Sequence, residues 1–64
     1  MRMSMKAARI NRKLTQEAVA EALNVTRKTV SFWENGKTKP SLDKIEPICK
    51  LYQVGYDDIE WSTR

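Results

Sequence analysis

Apolar positions recur at three- and four-residue spacing along most of this chain. Val19, Ala20 and Leu23 fall on one helical face, Val30 and Trp33 on another, and Leu42, Ile45, Ile48, Cys49 and Tyr52 on a third. Each stretch opens just after a residue suited to the free N–H groups of a helix start. Ser4 precedes Met5 to Lys13, Thr15 precedes Gln16 to Leu23, and Thr26 precedes Arg27 to Asn35. Ser41 precedes a segment reaching Tyr52, and Gly55 one reaching roughly Trp61. Glu17 stands in the first turn of the second segment, where a negative charge is favourable. Asn35-Gly36 supplies a stop, and a loop runs on through Pro40. Only Val25 to Val30 approaches strand-like alternation, and Arg27, Lys28 and Thr29 break it. The pattern predicts an all-α fold of five helices with no sheet.

Pro47 falls well inside the fourth helix. It has no N–H to donate and its ring presses on the preceding turn, at a cost of up to about 3 kcal/mol. The expectation is a kink, or a tight first turn at Ser41 to Lys44.

The composition narrows the chemistry. Sixty-four residues suffice for one domain with one core, spanning 1–64. With no histidine and the single cysteine Cys49, neither a disulfide framework nor the usual structural zinc site can form within the chain. The same lack of histidine, with no acid pair or activated nucleophile in the pattern, argues against an enzyme and against a metal or cofactor site. Arg2, Lys6, Arg9, Arg12 and Lys13 interrupt any leader-like apolar run, and no stretch approaches a membrane span. A cytoplasmic protein without membrane association is expected. The net charge of +4 is unevenly placed: residues 1–39 hold nine Lys or Arg against three acids, and residues 40–64 hold three against five. A basic half suits a polyanionic partner, although a merely solvated surface has the same composition.

The spacing within residues 16–35 is more specific than the charge. Counted from Gln16, apolar residues occupy the fourth, eighth, tenth, fifteenth and eighteenth positions: Val19, Leu23, Val25, Val30 and Trp33. The fifth, Ala20, is small where two helices cross closely. The ninth, Asn24, sits where a left-handed backbone is wanted, and Asn tolerates that conformation better than most residues. A turn this short fixes two helices against each other and leaves the polar face of the second free to enter a major groove.

The stretch from Leu14 to Lys37, LTQEAVAEALNVTRKTVSFWENGK, followed by Pro40, resembles the Cro and phage-repressor type helix-turn-helix family, also called the Xre family. The likeness runs from Arg9 to Ile59 and rests on Thr-Gln before the second helix, Val-Ala at its centre and Trp-Glu-Asn-Gly at the end of the third. It departs from the family at Lys13 and Asn24, where glycine is common, and at Pro47. The resemblance implies a compact five-helix, repressor-like DNA-binding domain that acts as a homodimer on a palindromic operator. It implies a sequence-specific regulator of transcription, of repressor type, whose partner is double-stranded DNA.

The resemblance also assigns roles. Gln16 resembles the residue that bonds a phosphate and braces the recognition helix, and Asn35 and Lys37 resemble phosphate clamps. Arg27 and Lys28 stand where the family reads base edges. Arginine can pair bidentately with guanine O6 and N7, and lysine suits guanine or phosphate. Thr26, Thr29 and Ser31 are short polar groups fitted to phosphate or base contacts, with Thr26 and Thr15 first of all helix caps. Phe32 is placed to touch a thymine methyl, or to fill a core crevice or a dimer contact. Arg9 and Glu34 resemble the family's internal ion pair, and Cys49 reads as core.

Tyr56, Ile59 and Trp61 admit two readings, completion of the fold or a dimer seam. A protein-interaction module, such as an antitoxin-like subunit gripping a partner, is the alternative to a DNA-binding regulator.

Overall fold

The computed structural model describes residues 2–61. It contains four α-helices, α1 (Met5–Asn11), α2 (Gln16–Leu23), α3 (Arg27–Glu34) and α4 (Leu42–Tyr52), followed by a single 3-10 turn at Tyr56–Asp58.

Three helices begin where a hydroxyl closes the first turn. Ser4 Oγ accepts the Ala7 N–H at 3.0 Å, Thr15 Oγ1 that of Ala18 at 3.0 Å, and Thr26 Oγ1 that of Thr29 at 3.1 Å. Each satisfies a donor that helical geometry leaves free. Ser41 departs from the expectation. It precedes α4, but its hydroxyl donates to the Asp43 carboxylate and caps no backbone N–H. That bond holds the Asp43 carboxyl below its usual range.

All four helices end in the same way. A residue in the left-handed region follows the last turn: Lys13 (φ 58°), Asn24 (φ 59°), Gly36 (φ 77°) and Gln53 (φ 59°). The next N–H then reaches back five residues. Leu14 donates to Arg9 O at 3.2 Å, Val25 to Ala20 O at 2.9 Å, Lys37 to Phe32 O at 3.0 Å and Val54 to Cys49 O at 3.0 Å. This is the Schellman arrangement, which occupies carbonyls that would otherwise lack partners. Leu14, Val25 and Val54 then fold back against the core. The first helix therefore stops at Asn11 and not at Lys13, because Lys13 is the left-handed residue of the turn. Asn24 adopts the conformation its type predicts.

Pro47 lies inside α4, which continues through it to Tyr52. The first turn is tight, with Lys44 N–H donating to Ser41 O at 2.9 Å. The N–H that Pro47 lacks would have reached the carbonyl of Asp43, an exposed residue that water can serve.

The fifth helix is only the 3-10 turn. Gly55 N–H donates to Asp58 Oδ2 at 2.9 Å, which closes the turn locally, and Ile59 is then extended. The reason is tertiary. Met3 N–H donates to Asp58 O at 2.9 Å and Glu60 N–H to Met3 O at 2.8 Å, forming one parallel bridge between the two ends of the described chain. No sheet forms among the described residues, but this bridge was not legible in the pattern.

The core is built from Met5, Ala8, Val19, Ala20, Leu23, Val30, Trp33, Ile48, Tyr52 and Ile59. Val19 and Val30, both fully buried, sit on α2 and α3, and Ala20 is buried where larger side chains would hold helices apart. Leu42 does not join the stripe of α4. At the first helical position it is 92% exposed, and burial begins with Ile45 one turn later. Cys49 is half-buried, and burial pushes its thiol pKa up. The segment with two readings divides: Ile59 is core, Trp61 packs against the core, and Tyr56 remains exposed. No described helix is long and apolar enough to cross a membrane.

Candidate nucleic-acid interface

The position of α3 is fixed at both ends. At its start Thr26 caps the helix, and the Thr26 and Thr29 hydroxyls share a hydrogen bond of 2.9 Å. At its end stands Glu34, whose side chain is only 2% exposed. Arg9 Nε of α1 donates to Glu34 Oε2 at 2.7 Å and a second guanidinium nitrogen donates to Oε1 at 3.3 Å. Gln16 Nε2 of α2 donates to the same Oε1 at 2.9 Å. Arg9 also donates to Leu14 O at 2.8 Å, tying in the turn between α1 and α2. A buried carboxylate is tolerable when its charge is paired and its lone pairs are filled, and here one carboxylate gathers three helices. The hydrogen bond to Glu34 raises the Arg9 pKa further, despite some loss of solvent.

Two groups behind this network were not anticipated. Lys44 Nζ of α4 donates to Leu23 O at 2.8 Å, so a cation serves the last carbonyl of α2 just before the tight turn. Neither residue forms a sequence motif, since 21 positions separate them. Tyr52 is buried and its hydroxyl has no hydrogen-bond partner among the described residues. Burial pushes its pKa up to about 12, with Glu34 adding to the shift and Arg9 opposing it.

With its inner face and both ends engaged, α3 presents its remaining side chains outward. Arg27 and Lys28 are exposed on its first turn. Neither forms a hydrogen bond or ion pair among the described residues. Phe32, one turn beyond Lys28, is half-exposed and belongs neither to the core nor to the apolar residues packed on it. The core-crevice reading of Phe32 is therefore not what the fold does. The Lys28 ammonium lies 5.6 Å from the centre of the Phe32 ring. Ser31 is half-buried, and its hydroxyl accepts from Asn35 Nδ2 at 3.3 Å. Asn35 and Lys37 are exposed where α3 ends.

The proposed contact residues thus form two neighbouring groups. Gln16 and Arg27 line an open cleft of about 450 Å³ together with Arg9, Leu14, Thr15 and Glu17, between the starts of α2 and α3. Lys28, Phe32, Ser31 and Asn35 follow along α3, with Lys37 beyond them. Gln16 reaches Glu34 from the wall of this cleft with one N–H of its side-chain amide, which leaves the second N–H as a donor. Among the described residues no three His, Cys, Asp or Glu side chains gather in a way that would hold a metal.

Comparison with known proteins places this geometry in a family. The model of the family described as "Helix-turn-helix" matches residues 5–59. The transcriptional activator BcrR of Enterococcus faecalis is 39% identical over 51 residues, covering 80% of this chain but 25% of the relative. The chain therefore spans a quarter of that relative's length. An uncharacterized transcriptional regulator of Bacillus subtilis, YgzD, is 34% identical over 61 residues, covering 95% of this chain and 92% of the relative. The cryptic phage CTXphi transcriptional repressor RstR of Vibrio cholerae is 37% identical over 46 residues, 72% of this chain and 41% of the relative. No solved structure gives a significant match. The match over residues 5–59, together with a tight turn at Asn24 joining two packed helices, shows that this chain belongs to the helix-turn-helix family of the Cro and phage-repressor type.

Proposed function

We propose that this chain is a sequence-specific DNA-binding regulator of transcription that inserts α3 into the major groove of an operator. One observation carries the reading: Arg27 and Lys28 are exposed, and without a hydrogen bond or ion pair among the described residues, on the first turn of a helix whose opposite face and far end are locked by Trp33 and Glu34. A helix so held can place guanidinium and ammonium groups against base edges without rearranging. In this reading Arg27, Lys28 and Phe32 face bases. Gln16, Thr26, Thr29, Ser31, Asn35 and Lys37 meet the backbone, with Thr26 acting foremost as the cap. Repression is the simpler mode, because occupying a promoter requires nothing beyond the DNA-binding unit; the relatives' names include both an activator and a repressor. In this reading the protein works in the cytoplasm and carries out no catalytic step.

A homodimer would set two copies of α3 about 34 Å apart on one face of the duplex. The exposed Tyr56, stacked on Trp61 at 5.5 Å, borders a pocket with Arg2, Lys39 and Asp57. Its mixed charges suit self-association about a two-fold axis.

Selection of bound sequences from a random duplex library tests the whole reading. The expected result is an enriched, palindromic site; no site bound above non-specific affinity at physiological salt would overturn it. Tight capture of a protein partner with no DNA shift at low salt would instead support the interaction-module alternative.

A further inference from the structure

We infer that Lys28 and Phe32 act as one reading unit that recognises a guanine and a thymine in neighbouring base pairs. The inference rests on the operator reading above and specifies what α3 would recognise there. Lys28 and Phe32 are four residues apart on α3, which stacks them on one face. The ammonium sits 5.6 Å from the ring centre, within the range in which a cation is drawn to an aromatic face. Phe32 is a large apolar group on the outward side of a polar helix, left out of the core. Its ring confines a lysine that would otherwise sample many rotamers and many phosphates.

The composite surface is a donor beside an apolar edge. In the major groove guanine offers the acceptors O6 and N7, and thymine offers its 5-methyl group. Consecutive nucleotides of one strand are spaced by about 3.4 Å along the axis, so a 5.6 Å separation spans between one and two steps. Arg27 lies apart, on the cleft beside Gln16, and is not part of the unit.

The experiment begins from the sites that the purified protein selects from a random duplex library, with each thymine replaced in turn by deoxyuridine, which deletes only the methyl group. At one thymine beside a selected guanine, the wild-type protein is expected to lose about fourfold in affinity. Phe32→Ala should bind the thymine and uracil duplexes alike. Phe32→Leu keeps an apolar side chain but offers no ring, so it should retain the methyl sensitivity while guanine preference at the neighbouring pair falls about threefold. Lys28→Met should lose the guanine preference and keep the methyl sensitivity. Thermal unfolding of each variant verifies that it folds. Equal wild-type binding of thymine and uracil at every position would overturn the proposal, as would an unchanged guanine preference in Phe32→Leu. If the library yields no enriched site, the operator reading itself fails and this one falls with it.

Discussion

Gln16, the first residue of α2, donates a 2.9 Å hydrogen bond to Glu34, the last residue of α3. The start of one helix is thereby tied to the end of the next, across a turn only three residues long. Arg9 completes the arrangement from α1 with an ion pair of 2.7 Å to the same carboxylate. The orientation of the outward face of α3 is set by this buried polar junction as well as by the packing of Val19, Ala20, Val30 and Trp33.

Glu34→Ala leaves the Arg9 guanidinium without its partner in a site where Arg9 is 11% exposed. Breaking such a pair from one side costs on the order of 3 kcal/mol. That is a large share of the stability of a domain this small. Urea unfolding should show a much reduced midpoint. Gln16→Ala removes one neutral donor to a charged acceptor and should cost about 1.5 kcal/mol with the fold retained.

Lys13 and Gln53 occupy the left-handed conformation that favours glycine. An L side chain pays about 1 kcal/mol or more there. Lys13→Gly and Gln53→Gly should each raise stability by about 0.5 to 1 kcal/mol, after allowing for the greater freedom of glycine in the unfolded chain. A lowered melting temperature in both variants would contradict the assignment of these turns.

Tyr52 provides a pH test. Its folded-state pKa of about 12 lies above the value near 10 of an exposed tyrosine. Below pH 10 the phenol is protonated whether the chain is folded or not, and it contributes no pH dependence. Between about pH 10 and 12 the unfolded chain releases the proton while the folded one retains it, so stability falls with rising pH. Tyr52→Phe should abolish this part of the alkaline loss. Because the hydroxyl has no hydrogen-bond partner among the described residues, the variant should be neutral or slightly stabilising at pH 7. Chemical denaturation of both proteins across that pH range isolates the contribution of Tyr52.

Arg27→Ala and Lys37→Ala should behave differently on DNA. Arg27 stands where bases are read, and its loss should change base preference at one position by on the order of 1 to 3 kcal/mol. Lys37 lies beyond the end of α3, and its loss should weaken all sequences alike. Lys37→Ala should also reduce the slope of log affinity against log salt by about 0.9. Salt titrations on the selected site and on scrambled duplexes read both effects.

Thr26→Ala removes the cap of α3. It should lower stability by about 1 kcal/mol, seen as a lower melting temperature. Base preference should be unchanged, since Arg27 and Lys28 remain.

The sequence by itself determined the features that depend on near neighbours. The limits of α2, the start of α3, the hydroxyl caps at Ser4, Thr15 and Thr26, the left-handed Asn24 and the small Ala20 all follow from local backbone chemistry and helical spacing. The positions of Arg27 and Lys28 on the first turn of α3 follow in the same way, and family resemblance supplied the Arg9 and Glu34 pair. Tertiary structure decided whatever required a partner distant in sequence. It reduced the last helix to a 3-10 turn, because Met3 bonds to the backbone on both sides of Ile59. It brought Lys44 to the carbonyl of Leu23 and exposed Leu42 at the end of its stripe. It also set Phe32 outside the core. Periodicity reports which face of a segment is apolar, but which groups meet across that face is fixed only when the segments pack.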